Sequence, residues 1–202
     1  MARSSRSLWT AKLKGGALPG SVQATPSRAK PTAAPAIPLK ATRGVRSIIL
    51  GIDPSLRGTG LAVLDTRQST PALLASRTVK LGAKLAPYEC LGRIADAVEE
   101  LVRRHGVKEV SIEETIFVQN FRTAQAMGAS RGAALSPLAR LGVKVSEYAP
   151  KRIKMAVTGH GAAKKEQVGR MIKAVLGLQT ELPLDESDAA AAALCHAYTG
   201  RA

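Results

Sequence analysis

Two short apolar runs in the chain each end in an acid. Ile48-Ile49-Leu50-Gly51-Ile52 runs into Asp53, and Val110-Ser111-Ile112 runs into Glu113 and Glu114. Short, β-branched apolar runs suit strands buried on both faces. A carboxylate at the end of such a strand is costly to desolvate unless positive charge shares it. A further pair, Asp185 and Asp188, stands three residues apart at the head of an alanine-rich stretch and would share one helical face. Each acid has a plain structural reading: Asp53-Pro54 as a turn cap, Asp185 and Asp188 as helix caps, Glu114 as surface. Taken alone, Asp53 is as readily a turn residue as a catalyst. Four carboxylates arriving from three separated segments are harder to explain as caps. Clustered carboxylates repel, and a hard divalent cation is the usual remedy. Mg²⁺ prefers oxygen ligands and accepts a substrate phosphate in its shell, and Mn²⁺ suits the same donors. Two such ions can activate a water and stabilise the leaving oxygen of an in-line phosphodiester displacement.

The counter-charge is plentiful. Thirty Lys and Arg against fifteen Asp and Glu give a net charge of +15 over 202 residues, a balance that points to polyanions and above all to nucleic acid. Within the globular part the densest stretch holds Lys151, Arg152, Lys154, Lys164, Lys165, Arg170 and Lys173 against the single acid Glu166. A lysine there can neutralise charge on a phosphorane-like transition state. No stretch approaches the roughly 20 apolar residues of a membrane span. Cys90 and Cys195 lie far apart without a CxxC spacing, so neither a disulfide framework nor a zinc site is indicated and a reducing compartment fits.

The elements that must hold these residues follow from periodicity. Asp53-Pro54 halts the first strand, and Gly58 and Gly60 allow a turn into a second strand through Leu64. Residues 71–80 read as a third strand completing a meander. The period then changes to 3.6: Tyr88, Leu91, Ile94, Ala95, Val98, Leu101 and Val102 form one apolar face that ends near Gly106. A fourth strand covers residues 108–114, a helix rich in small residues 120–141, and a fifth strand 143–148. The Gly128-x-x-x-Gly132 spacing in that helix predicts close packing on the sheet or on a neighbouring helix. A short helix, a Gly159-His160-Gly161 loop and an amphipathic helix carry the basic segment, and a last helix runs from Leu184 to Tyr198. This order implies an α/β fold whose five-stranded mixed sheet joins an antiparallel meander to parallel crossovers.

Residues 1–46 differ in kind. They hold nine basic residues and no acid amid Pro, Ala, Ser and Gly, a composition that cannot bury enough apolar surface to order itself. A flexible basic arm over 1–46 and a nuclease domain over 47–202 are expected. The arm reads equally as a nonspecific nucleic-acid tether, an organellar transit peptide or an over-long start.

Several motifs in order resemble one family. They are Gly51-Ile52-Asp53-Pro54 with Thr59-Gly60, Ile112-Glu113, Asn120 followed by Gly128-x-x-Arg131-Gly132, Tyr148-Ala149 with Lys154, Gly159-x-Gly161 with Lys165, and Asp185-x-x-Asp188-Ala189. Over residues 47–200 the chain resembles the RuvC family of crossover junction endodeoxyribonucleases. The resemblance implies a ribonuclease H-like fold flanked by helices and a homodimer. It implies a four-way Holliday junction as substrate, nicked symmetrically on two strands in DNA recombination and repair. It places the catalytic, metal-binding carboxylates on Asp53, Glu113, Asp185 and Asp188, with two Mg²⁺ ions per site and Mn²⁺ as a substitute. The lysines near the scissile phosphate fall on Lys154 and Lys165. Contact with DNA is expected from Ile116, Phe117, Asn120, Arg131, Lys151, Arg152 and Lys164. The family often carries an aromatic wedge three residues after the glutamate; here that position is Ile116 and Phe117 follows it. A branch-migration helicase partner is implied by the resemblance alone. The expected location is the cytoplasm, at the nucleoid, or an organelle if the arm is a transit peptide. Two other readings stand beside this one: a related nuclease for another structured nucleic acid, and a non-catalytic nucleic-acid binder. Intact acids at all four positions speak against the binder, because they would repel a phosphate backbone.

Overall fold

The computed structural model of the chain describes residues 44–115 and 119–200. Residues 1–43, which make up nearly all of the expected arm, lie outside the described residues, as do Ile116 and Phe117. Ten elements follow in order: β1 (Ile48–Asp53), β2 (Gly58–Asp65), β3 (Ala72–Lys80), α1 (Pro87–His105), β4 (Glu109–Glu113), α2 (Phe121–Arg140), β5 (Lys144–Tyr148), α3 (Pro150–Thr158), α4 (Lys165–Val175) and α5 (Leu184–Thr199). The period-2 and period-3.6 stretches of the sequence are these elements, with ends moved by a residue or so. Pro87 and Pro150 sit in the first turns of α1 and α3, where a missing N–H costs nothing. Gly106 closes α1 with φ 62°, the left-handed geometry that a glycine adopts without strain.

The sheet order is β3-β2-β1-β4-β5. β1 is central, antiparallel to β2 and parallel to β4, with Ile52 opposite Leu61 on one side and Ile112 on the other. Strand alternation divides the core in two. Leu50, Ile52, Leu61, Val63, Val110 and Ile112 face α1 and α2, whereas Ile49, Ala62 and Leu64 face α3, α4 and α5. Val45 also lies in this second layer at 4% exposure, so close packing extends at least to Val45, a residue that composition alone assigns to the arm.

Helix α5 is sandwiched between the sheet and α3 and α4, and Ala189 through Ala197 are all buried. It can lie so near the sheet because glycines meet it: a Cβ on Gly51 or Gly60 would run into the carbonyl oxygens of Ala189 and Asp185. By contrast, the Gly128/Gly132 pair does not mediate close packing. A Cβ on either residue would meet no atom within 4 Å, because α2 turns these two glycines outward and packs through Ser130, Ala134, Pro137 and Leu138. Spacing alone could not say which face of the helix would be inward. Among the described residues no helix is long and apolar enough to cross a membrane, and Cys90 and Cys195 are buried free thiols.

Candidate active site

The parallel pairing of β1 and β4 sets Asp53 and Glu113 side by side at the same end of the sheet. The alternation also decides which face they occupy. Ser111, two residues before Glu113, donates its hydroxyl to the Ala192 carbonyl at 2.7 Å, and Gly51, two before Asp53, abuts Ala189. Both acids therefore project on the α5 side. There the N-terminal end of α5 delivers Asp188 and, against Gly58, Asp185. Helices α3 and α4 close the other wall. The result is a cavity of about 190 Å³ lined by Asp53, Glu113, Lys154, Lys165 and Asp188, with Ile153 among its apolar walls.

Charge is crowded there. Burial first, then Asp188 and Glu113, and more weakly Asp185, push Asp53 from its ordinary 3.8 up to about 7, against the opposing pull of Lys165. Glu113 is raised too, by burial and by Asp188, while Lys165 and Lys154 pull it down. Lys165 Nζ donates to Asp188 Oδ2 at 2.5 Å, and that bond, supported by the charges of Asp53 and Glu113, raises the lysine above its usual range. Two lysines thus offset only part of the repulsion among four carboxylates.

Among the described residues no three Asp, Glu, His or Cys side chains stand together as a ready-made ligand cluster; Lys165 occupies the counter-charge position at Asp188. The donor chemistry nevertheless fits a hard divalent cation. All the ligands on offer are carboxylate oxygens, their mutual repulsion raises Asp53 and Glu113, and the cavity opens toward a basic wall.

The six residues expected to do chemistry are brought together, with Asp185 beside the cavity rather than in its lining. The residues expected to touch DNA are scattered. Lys151 and Lys164 are exposed at the start of α3 and just before α4, and Lys151 lends its stem as packing for Gly161. Asn120 caps α2, accepting from the Thr123 N–H at 3.1 Å. Arg152 lies 5.0 Å over the Tyr148 ring and reaches the Thr199 carbonyl at 3.4 Å. Thr199 is eleven residues along α5 from Asp188, about 16 Å at 1.5 Å per residue, so Arg152 is not brought to the acids. Arg131 is turned to protein partners. Its side chain is only 13% exposed, with the Glu147 carboxylate 2.6 Å from Nη2, and Nη1 donates to the Glu113 carbonyl at 2.6 Å.

Sequence reasoning missed one anchor. The Glu186 carboxylate accepts from Ser76 Oγ at 2.6 Å and from Thr78 Oγ1 at 3.2 Å, tying the first turn of α5 to β3. The period-2 placement of Ser76 and Thr78 on one strand face was the available signal, but nothing in the sequence pairs that face with α5.

Comparison with known proteins agrees with this geometry. Residues 49–196 match the family model described as "Crossover junction endodeoxyribonuclease RuvC". The chain belongs to the RuvC family. A curated relative of that name from Halorhodospira halophila is 45% identical over 150 residues, covering 74% of this chain and 89% of the relative. Another, from Hyphomonas neptunium, is 41% identical over 150 residues, covering 74% and 90%. Among solved structures, T. thermophilus RuvC in complex with Holliday junction substrate superposes with a TM-score of 0.73 at 34% identity, covering 77% of this chain and 95% of that one. The five-stranded mixed sheet with its flanking helices is thus the ribonuclease H-like fold of RuvC.

Proposed function

We propose that this RuvC-family chain is a metal-dependent endonuclease that resolves four-way DNA junctions by paired, symmetric nicks. The observation that carries the reading is the convergence on one cavity of carboxylates from β1, β4 and α5 with lysines from α3 and α4. Divalent ions held by Asp53, Glu113, Asp185 and Asp188 would supply a water nucleophile and stabilise the leaving oxygen; Mg²⁺ is the assigned ion, two per site, with Mn²⁺ able to replace it. Asp53, on the rigid central strand, is the central ligand. Lys154 and Lys165 bind the scissile phosphate and spread its developing negative charge. Lys165 Nζ is held beside the acids by its bond to Asp188 Oδ2, which keeps the ammonium at the wall where the phosphate would lie.

A two-fold dimer would offer two identical cavities to a nearly two-fold junction, which accounts for paired nicks. Lys151 and Lys164 extend the basic wall along a DNA arm. The family context extends the proposal to work with a branch-migration helicase on cytoplasmic, nucleoid DNA. Residues 1–43 serve as a nonspecific basic tether in this reading, and the nuclease takes in the packed segment at Val45 as well as residues 47–202.

The test is incubation of the protein with a synthetic four-way junction, duplex DNA and structured RNA, with and without Mg²⁺. Preferential, Mg²⁺-dependent nicking of the junction is expected. Equal cutting of all three substrates would point to another structured nucleic acid, and equal cutting by wild type and Asp53→Asn would remove the assigned site.

A further inference from the structure

The strand end that carries Glu113 is held in an unusual way. The ladder between β1 and β4 stops at Ile52 and Ile112, so Glu113 has no register partner on β1. On the other side β5 still pairs with it, and the Glu114 N–H donates to the Tyr148 carbonyl at 2.9 Å. The Glu113 carbonyl is taken instead by a side chain from α2: Arg131 Nη1 donates to it at 2.6 Å. The other arm of the guanidinium lies 2.6 Å from the Glu147 carboxylate of β5, without the alignment of a hydrogen bond, and Nη2 is itself fully buried. One planar group therefore spans the last peptide of β4, the neighbouring strand β5 and the helix to which the chain returns after leaving the site.

We infer that Arg131 is a positioning residue for Glu113: it fixes the carboxylate through the β4 backbone, and it does not contact DNA. The inference rests on the reading of Asp53 and Glu113 as parts of the hydrolytic centre. The cations that act directly on the Glu113 carboxylate are Lys165 and Lys154, which leaves Arg131 a mechanical part. Both arms of its guanidinium are turned to protein partners, the Glu113 carbonyl and the Glu147 carboxylate, rather than outward as its place in the motif order suggests. A part-buried carbonyl that loses its donor is costly to leave unpaired, and a rotated terminal peptide would swing the carboxylate beyond it. Misplacement of a catalytic group by about 1 Å costs on the order of 100-fold in rate. Lysine cannot replace the fork, because a point charge reaches the carbonyl or Glu147 but does not bridge them.

Three readings on Arg131→Gln and Arg131→Lys decide the matter: affinity for a four-way junction in metal-free buffer, single-turnover cleavage rate at saturating protein, and the Mg²⁺ concentration at which Tm rises half-way. The expected result is affinity within about twofold of wild type, a rate lowered about 10- to 100-fold for Gln and less for Lys, and a Mg²⁺ midpoint moved upward. Glu147→Gln, which leaves the Glu113 carbonyl bond in place, should move the midpoint in the same direction by a smaller amount. Weaker junction binding with an unchanged rate at saturation would overturn the inference in favour of a DNA contact. A lowered Tm with all three readings unchanged would overturn it in favour of plain packing. If Arg131→Gln does not fold, the Lys variant and Glu147→Gln carry the same decision. Failure of the wild type to cut the junction would instead remove the hydrolase reading beneath it.

Discussion

At its N-terminal end α5 brings Asp185 and Asp188 toward Asp53 and Glu113, where like charges crowd and burial pushes Asp53 up to about 7. At its last turn the same helix carries His196, 1% exposed, hydrogen-bonded to Tyr148 Oη at 2.7 Å through Nδ1 and to Glu109 Oε2 at 3.2 Å through Nε2. A neutral imidazole protonated on Nε2 satisfies both: it accepts from the tyrosine and donates to the carboxylate. Both ends are polar, but the His196 end is buried with both ring nitrogens paired, whereas the acids at the other end are half-buried and crowd one another. Paired polar groups in a core hold elements in register, whereas titratable groups held together against their own repulsion are the mark of a functional site. The two ends of one helix thus separate structure from chemistry.

Substitution should separate them in the same way. The largest effect is expected at the N-terminal end: Asp53→Asn should lower junction cleavage by at least about 10³-fold in single-turnover assays while leaving the fold intact. At the last turn, His196→Ala should instead cost about 3 kcal/mol in urea unfolding, by opening a void and stranding Tyr148 and Glu109, with cleavage by the folded fraction nearly unchanged. A catalytic loss as large as that of Asp53→Asn would break the division.

The pH dependence of stability should carry opposite signs at the two ends. Asp53 has its carboxyl raised on folding, so the metal-free protein loses stability as pH climbs from about 4 to about 7, where the unfolded chain has already ionised. Asp53→Asn should remove this loss and be more stable than wild type above pH 7, by on the order of 4 kcal/mol. His196 is lowered by burial, against the pull of Glu109. Its contribution is present above about pH 6.5 and fades as pH falls below it, because the unfolded imidazole then takes up a proton that the buried ring refuses. Thermal melts from pH 4 to 9 on wild type and both variants would show the two slopes apart.

Smaller effects sharpen the picture. Glu186→Ala removes the tie from α5 to Ser76 and Thr78 and should cost about 1 kcal/mol, with a modest fall in cleavage as Asp185 loosens; an unchanged rate would confine Glu186 to structure. Deletion of residues 1–43 should flatten the salt dependence of junction binding without moving the nick positions. An unchanged salt slope would take the basic arm out of DNA binding.

Much of this was legible in the sequence because it depends on local periodicity. The strands ending in Asp53 and Glu113, the helical spacing of Asp185 and Asp188, and the helix end at Gly106 are all local signals, and the change of period from two to 3.6 located α1. What escaped depends on contacts between distant segments. The outward turn of Gly128 and Gly132, the capture of Glu113 by Arg131 and of Glu186 by Ser76 and Thr78, and the Tyr148-His196-Glu109 network each join segments that only the folded sheet brings together. Arg131 shows the limit most clearly. Its place in the motif order suggested a hand extended to DNA, yet its burial makes it a brace behind the site.

The central claim, that the crowded end of α5 awaits a divalent cation, is tested most directly by Mg²⁺ titration of Tm at pH 7.5 on wild type and Asp53→Asn. A ligand that binds only the native state raises stability with its concentration. The account predicts that Tm of the wild type rises with Mg²⁺, while Asp53→Asn starts higher and stays flat. Equal Mg²⁺-dependent shifts in the two proteins would contradict it.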